Sequence, residues 1–198
     1  DFAVGCTYKH LNGGPGAPGF LYVRNDLIEK VTQPLSGWLG HIDPFAFDRE
    51  YKPANNINKF ICGTPSILAY KAVESGLNVF EGISMEQVRE KSIQLSEVFI
   101  ELINQECDEF EFKLFSPNDA NLRGSQISYM HDNAYPIVQS LISRGVIGDY
   151  REPNILRFGI SPLYMRYEDI WNAIMHLKII MQSSEWDSSN FKVRNYVT

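Results

Sequence analysis

Apolar residues recur at helical spacing through the second half of the chain. A Ser84–Gln87 capping-box pattern opens the first such stretch, where apolar residues continue on one face to Ile103. Similar spacing predicts helices over 134–144 and 167–181. Alternating or short apolar runs predict strands at 110–115, 126–130, 146–148 and 155–158. Residues 84–182 are therefore expected to form an α+β domain whose helices cover one face of a small antiparallel sheet, and the polar residues from Ser183 onward to form a loose tail.

The first part of the chain has a different pattern. Phe2–Cys6 is an apolar run that predicts a buried strand, and Phe20–Val23 predicts a second one. The glycine-rich stretch between them, residues 12–19, predicts a tight turn in preference to a phosphate-binding loop, because it lacks the spacing of either common phosphate motif. Residues 31–63 show no clean period and are expected to be irregular. Thr64-Pro65 predicts a helix start, with Thr64 as the cap and the helix running to about residue 80.

Composition excludes several classes of function. Lys and Arg number 18 against 24 Asp and Glu, which gives a net charge of −6, and no basic run offers a surface for nucleic acid or an anionic membrane. The apolar runs are too short to span a bilayer. Three widely spaced cysteines fit reduced thiols of a cytoplasmic protein, and no histidine has metal-ligand spacing. The chain opens on an apolar strand without a Met, so we expect it to be a piece of a longer polypeptide.

Two cationic residues are candidates for chemistry. Lys9 follows an apolar strand, at the place where ligands bind in α/β sheets, and a desolvated lysine amine can form a Schiff base with an aldehyde. Position alone nevertheless favours an ordinary solvated lysine. Arg157 lies inside an apolar strand, where it needs a carboxylate partner. A salt bridge with Asp149 or Glu152 and a clamp for a substrate carboxylate are equally consistent with the sequence.

Irregular backbone around Trp38 carries a third candidate. Gly37-Trp38-Leu39-Gly40-His41 places an aromatic ring and a histidine between glycines. A hydrophobic plug with an incidental histidine is the simpler interpretation. The indole N–H could also donate to an anion.

Four segments, in order along the chain, resemble the kynureninases. The first is Asp1-Phe2-Ala3-Val4-Gly5-Cys6-Thr7-Tyr8-Lys9-His10-Leu11-Asn12-Gly13-Gly14-Pro15-Gly16, and the second is the Trp38 segment above. The third is Phe60-Ile61-Cys62-Gly63-Thr64-Pro65-Ser66. The fourth is Ile155-Leu156-Arg157-Phe158-Gly159-Ile160-Ser161-Pro162-Leu163-Tyr164, followed by Tyr167-Glu168-Asp169.

The resemblance implies an α/β fold and a set of site residues. Kynureninases are pyridoxal 5′-phosphate (PLP) enzymes of fold type I, the aspartate-aminotransferase type. By that resemblance Lys9 would hold the cofactor and move protons, and Tyr8 would contact its phosphate and assist proton transfer. Trp38 and Thr64 would reach the phosphate, typically from the partner subunit of a homodimer. Arg157 would bind the substrate α-carboxylate.

The resemblance also implies a reaction and a domain plan. The reaction is hydrolysis of L-kynurenine or 3-hydroxy-L-kynurenine to anthranilate or 3-hydroxyanthranilate plus L-alanine, in tryptophan catabolism and NAD biosynthesis. Residues 1–63 would end the large PLP-binding domain, 64–83 would be a connecting helix, and 84–198 would form the small C-terminal domain. Kynureninases are considerably longer, so we expect this chain, as their C-terminal half, to bind PLP weakly and to be inactive by itself.

Two other functions remain open at this stage. The first is another fold-type-I enzyme, such as a cysteine desulfurase or a class V aminotransferase. Desulfurases typically place His before the lysine, whereas Tyr8 stands there in this chain. The second is a truncated, non-catalytic binding module in which Lys9 and Arg157 are relics.

Overall fold

The structure, a computed structural model, describes residues 1–194. The chain divides into two compact units. The first is Asp1–Gly82, and the second begins at Ile83. Each unit is described by itself.

The first unit contains a two-stranded antiparallel ribbon, two α-helices and two short 3-10 helices. Strand β1 (Phe2–Cys6) pairs with β2 (Gly19–Val23), so that Phe2 lies opposite Val23 and Cys6 opposite Gly19. Helix α1 spans Asn25–Ile28, and α2 spans Ile67–Asn78. The 3-10 helices are Trp38–Gly40 and Ile57–Phe60. The expectation of irregular backbone over 31–63 is thus confirmed apart from these short turns.

The expectation that β1 is buried is wrong. Its residues are exposed on both faces, with Val4 at 78% and Phe2 at 53% exposure, and among the described residues β2 is its only strand partner. An apolar composition shows that a strand can be buried, but it does not show what would cover it.

The expected cap of α2 is also wrong. The helix begins at Ile67, its N-cap is Ser66 without a side-chain bond, and Thr64 lies before the helix. Thr64 instead hydrogen-bonds to Trp38, across 26 residues of sequence. A long-range partner has therefore replaced the local capping bond.

The second unit is the predicted α+β layer. Its strands are β3 (Lys113–Leu114), β4 (Gln126–Met130), β5 (Asp149–Arg151) and β6 (Ile155–Gly159). They form one antiparallel sheet in the order β3-β4-β6-β5. The helices are α3 (Met85–Glu106), α4 (Ala134–Ser143), α5 (Tyr167–Ser183) and α6 (Ser189–Lys192). Fully buried side chains such as Leu95, Leu156 and Ile174 join the helices to the sheet in one core.

Local sequence signals identified α3 and α4. The predicted capping box is present, since the Gln87 backbone N–H donates to Ser84 Oγ and the Ser84 backbone N–H donates to Gln87 Oε1. Helix α4 ends before Gly145, whose φ of +84° belongs to the left-handed region that glycine tolerates best.

Two predicted strands of the second unit differ from expectation. The strand predicted over 110–115 shrinks to two residues, because a 3-10 helix occupies Asp108–Phe110 and Glu111 is left-handed. The strand predicted at 146–148 is a turn instead, with the Gly148 N–H donating to Val146 O, and pairing starts at Asp149.

The predicted loose tail is ordered as far as Arg194. Glu185 forms an ion pair with Arg144, and the Arg194 guanidinium lies 4.5 Å and 4.8 Å from the ring centroids of Tyr135 and Tyr150. Residues 195–198 of that predicted tail lie outside the described residues.

Candidate active site

A tight turn directly after β1 presents Tyr8 and Lys9. The Asn12 N–H donates to Lys9 O at 3.0 Å, and the Gly13 and Gly14 N–H groups donate to Thr7 O and Tyr8 O at 3.0 Å and 3.2 Å. Both side chains are exposed, and Lys9 Nζ lies 5.2 Å from the Tyr8 ring centroid. These bonds make the stretch a tight turn, as predicted.

Helix α2 supports this turn from one side. A Cβ at Gly76 would lie 2.6 Å from the Leu11 carbonyl oxygen, and one at Gly13 would lie 2.8 Å from Val73 Cγ2. Glycine at both positions lets the helix and the turn approach closely. The Thr7 hydroxyl closes the loop by donating to Pro18 O at 2.5 Å.

The second and third segments of the resemblance meet in the structure. Trp38 Nε1–H donates to Thr64 Oγ1 at 3.2 Å. A Cβ at Gly37 would lie 2.3 Å from the Cys62 carbonyl oxygen, so only glycine permits this approach. Trp38 remains 49% exposed with its ring edge-on to Phe45. The segments 37–41 and 60–66 therefore form one local structure that carries an indole N–H and a hydroxyl at its surface.

Polar contacts behind Trp38 hold this irregular loop. The Tyr51 hydroxyl donates to Gly40 O at 3.0 Å, and the Ala54 N–H donates to the same oxygen at 2.9 Å. His41 Nδ1 contacts the Asp43 backbone, with the carbonyl oxygen at 2.7 Å and the amide nitrogen at 3.0 Å. His41 therefore stabilises the loop instead of being incidental. Sequence reasoning missed Tyr51, because an irregular segment has no period that would indicate which side chain returns to which carbonyl.

Arg157 is in an ion pair within the second unit. It lies on β6, and its Nη2 contacts Asp149 Oδ2 on the neighbouring strand β5. Glu152, the other predicted acid, instead accepts from the Tyr150 hydroxyl and from Arg194. The intramolecular salt bridge, one of the two alternatives for Arg157, is thus present.

The predicted site residues fall into three groups. Tyr8 and Lys9 share the turn after β1, Trp38 and Thr64 are hydrogen-bonded to each other, and Arg157 belongs to the second unit. Within residues 1–194, Lys9 makes no ion pair with a carboxylate, and no cluster of His, Cys, Asp or Glu could hold a metal ion. No helix in that range is both long and apolar enough to cross a bilayer.

Comparisons with known proteins show which family the chain is similar to. Residues 88–177 match the family model described as the kynureninase C-terminal domain. The kynureninases of Pseudomonas fluorescens and of Burkholderia mallei strain SAVP1 are each 46% identical to the chain over all 198 of its residues. The chain resembles the kynureninases from end to end. It spans 48% of the length of these kynureninases.

Solved structures show the fold. A cysteine desulfurase from Thermococcus onnurineus NA1 superposes with a TM-score of 0.71 at 20% identity, covering 92% of this chain and 47% of that one. The cystine C-S lyase C-DES superposes with a TM-score of 0.66 at 19% identity, covering 82% and 43%. A C-DES variant with glycine linked to the PLP cofactor gives a TM-score of 0.65. The kynureninase-like chain therefore has the α/β fold of PLP-dependent fold-type-I enzymes.

Proposed function

We propose that this chain forms part of a kynureninase, a PLP-dependent hydrolase that cleaves L-kynurenine or 3-hydroxy-L-kynurenine. The products would be anthranilate or 3-hydroxyanthranilate and L-alanine. The observation that carries the proposal is the 46% identity to kynureninases over the whole chain. Since the chain spans about half of those relatives, the activity belongs to the complete polypeptide.

The side chains of the first unit fit a phosphorylated aldehyde. An anion needs donors, and the Thr64 hydroxyl, which accepts the Trp38 indole N–H, keeps its own hydrogen to donate to a phosphate. The indole N–H would become a second donor once a phosphate replaces Thr64 Oγ1 as its acceptor. An aldehyde needs an amine, and the exposed Lys9 side chain offers one without a carboxylate partner among the described residues. The donor set is therefore suited to PLP.

In this proposal each residue has a defined task. Lys9 holds the cofactor through its ε-amine and then moves the proton at the substrate Cα. The Tyr8 hydroxyl, on the same turn, contacts the phosphate and assists proton transfer. Trp38 and Thr64 bind the phosphate, in a homodimer from the partner subunit. When bound, PLP supplies the electron sink for the electron pair left on Cα.

Arg157, on strand β6, would orient the substrate. A guanidinium binds a carboxylate through two parallel N–H groups, which fixes the direction as well as the position of an amino acid. We place this reaction in the cytoplasm, in tryptophan catabolism and NAD biosynthesis.

The test uses the complete gene product that contains these residues. Borohydride reduction of the PLP-loaded protein followed by peptide mass spectrometry should find the pyridoxyl label on Lys9, and Lys9→Ala should abolish both the label and the cofactor absorbance. Kynurenine should be cleaved in preference to cysteine or alanine. Preferential turnover of cysteine would indicate a desulfurase, and an unlabelled, spectrally unchanged Lys9→Ala variant would indicate a non-catalytic module.

A further inference from the structure

The sheet of the second unit places Arg157 and Asp149 side by side on one face. In β6, Leu156 and Phe158 are buried in the core shared with the helices, and Arg157 between them lies on the other face. Asp149 is the direct antiparallel partner of Arg157 in the β5–β6 ladder. Directly opposed residues on one face are near enough to interact, and here the register itself produces the ion pair.

Asp149 serves two cations at once. Its carboxylate contacts Arg157 Nη2 and also Arg151 Nη2 at 3.0 Å. The side chains of Arg157 and Asp149 are only 29% and 33% exposed, whereas that of Arg151 is 58% exposed. Two guanidinium groups and one carboxylate leave a net positive charge at this point, so the cluster still attracts an anion.

The ion pair leaves donor capacity on Arg157. A guanidinium carries five N–H donors in a planar fork. Among the described residues, the side-chain hydrogen bond of Arg157 is the single one from Nη2 to Asp149. Further N–H groups are therefore available for a second carboxylate, while Asp149 restricts the rotation of a long, flexible side chain.

We propose that Asp149 is a positioning residue, which holds the Arg157 guanidinium in place for an α-carboxylate of the substrate. This inference rests on the proposed role of Arg157 as the carboxylate clamp. In the opposite case Asp149 would compete with the substrate carboxylate for Arg157, and the substrate would have to displace it. The two relations differ in sign, because loss of the Asp149 charge weakens carboxylate binding in the first and strengthens it in the second.

The test compares variants of the complete, PLP-loaded protein. Asp149→Asn keeps the size of the side chain and removes its charge, and it should raise KM for kynurenine about tenfold while kcat changes little, since one charge-assisted hydrogen bond is weakened. Glu152→Gln is the matched control, because this neighbouring acid binds Tyr150 and Arg194 and not Arg157. It should leave KM unchanged. Asp149→Glu restores the charge and should recover most of the lost affinity. If Asp149→Asn does not fold, Asp149→Ser removes the charge with a smaller polar side chain and should raise KM in the same direction.

A binding measurement separates this inference from the proposed function. Calorimetric titration with L-alanine and with L-alaninamide reports carboxylate recognition without turnover. Arg157→Gln should remove the preference for L-alanine, and Asp149→Asn should reduce it about tenfold. If both variants behave in this way but the wild-type protein does not cleave kynurenine, the kynureninase proposal is refuted and the positioning role of Asp149 stands. Unchanged or tighter L-alanine binding in Asp149→Asn, or no L-alanine binding in the wild type, would refute the positioning role.

Discussion

At the scale of single residues, His131 gives the second unit a pH-dependent stability. Burial lowers the pKa of His131 below its usual 6.5, against smaller opposing effects from Asp132 and from the Phe110 carbonyl. The ring lies 4.9 Å from that of Phe112, and its Nδ1 accepts the Asn133 N–H at 3.0 Å. The imidazole is therefore neutral in the folded state at pH values where the unfolded chain begins to bind a proton.

This shift determines the direction of the pH effect. As the pH falls from the usual pKa of 6.5 towards the lowered pKa of the folded state, the unfolded state binds more protons than the folded state, so the free energy of unfolding decreases. We expect urea unfolding curves to show this loss, and His131→Gln to have a smaller loss over the same pH range because that side chain does not titrate. An identical pH slope in wild type and variant would contradict the prediction.

Some contacts of the site residues could be predicted from the sequence, and others could not. Tyr8 and Lys9 are adjacent in sequence, so their shared turn could be predicted from a strand followed by glycines. The bond between Trp38 and Thr64 could not, because it joins irregular segments 26 residues apart and depends on the approach of Gly37 to Cys62. For Arg157, the sequence supplied two candidate acids, and only the strand register selects Asp149.

At the scale of elements, the helix starts separate a strong local signal from a weak one. At the start of α3, the side chains of Ser84 and Gln87 each accept a hydrogen bond from the other residue's backbone N–H. At the start of α2, the Ser66 side chain makes no capping bond. The two serines occupy the same position in their helices, so they form a matched pair for mutation.

We expect Ser84→Ala to lower the free energy of unfolding of the second unit by about 1 kcal/mol, the usual cost of losing a capping side chain. Ser66→Ala should change stability by much less, because it removes no such bond. Chemical denaturation of the two variants beside the wild type measures both effects. A Ser84→Ala variant as stable as the wild type would show that the Ser84 capping bond does not contribute in solution.

Elements with continuous apolar periods were predictable, and those that depend on a single turn were not. Helices α3, α4 and α5 each bury a stripe that the sequence displays directly. The pairing of β5 begins at Asp149, three residues beyond the predicted start at residue 146, because the chain first turns at Gly145–Gly148. Such a turn depends on one positive φ angle and one hydrogen bond, and neither produces a periodic pattern of hydrophobic residues in the sequence.

At the scale of the whole molecule, buried apolar residues are distributed unevenly. Almost all of the fully buried side chains belong to the second unit, whereas in the first unit Phe2, Val4, Phe20 and Tyr22 on the ribbon are exposed. Each ribbon strand has one described strand partner, so its other edge carries unpaired backbone groups. The sequence showed that β1 is apolar, but burial depends on covering elements that a single strand does not specify.

Hydrogen exchange on the 198-residue chain should reveal this difference. We expect the slowest amides in β4, β6 and α5, whose side chains pack in the core, and faster exchange across Phe2–Val23, where local opening disrupts few buried contacts. The control is the same measurement on the complete gene product, in which added protection of Phe2–Val23 would show that residues outside this chain cover the ribbon. Uniform strong protection of Phe2–Val23 in a monomer of the 198-residue chain would contradict the prediction, because such protection requires burial that β1 and β2 do not have by themselves.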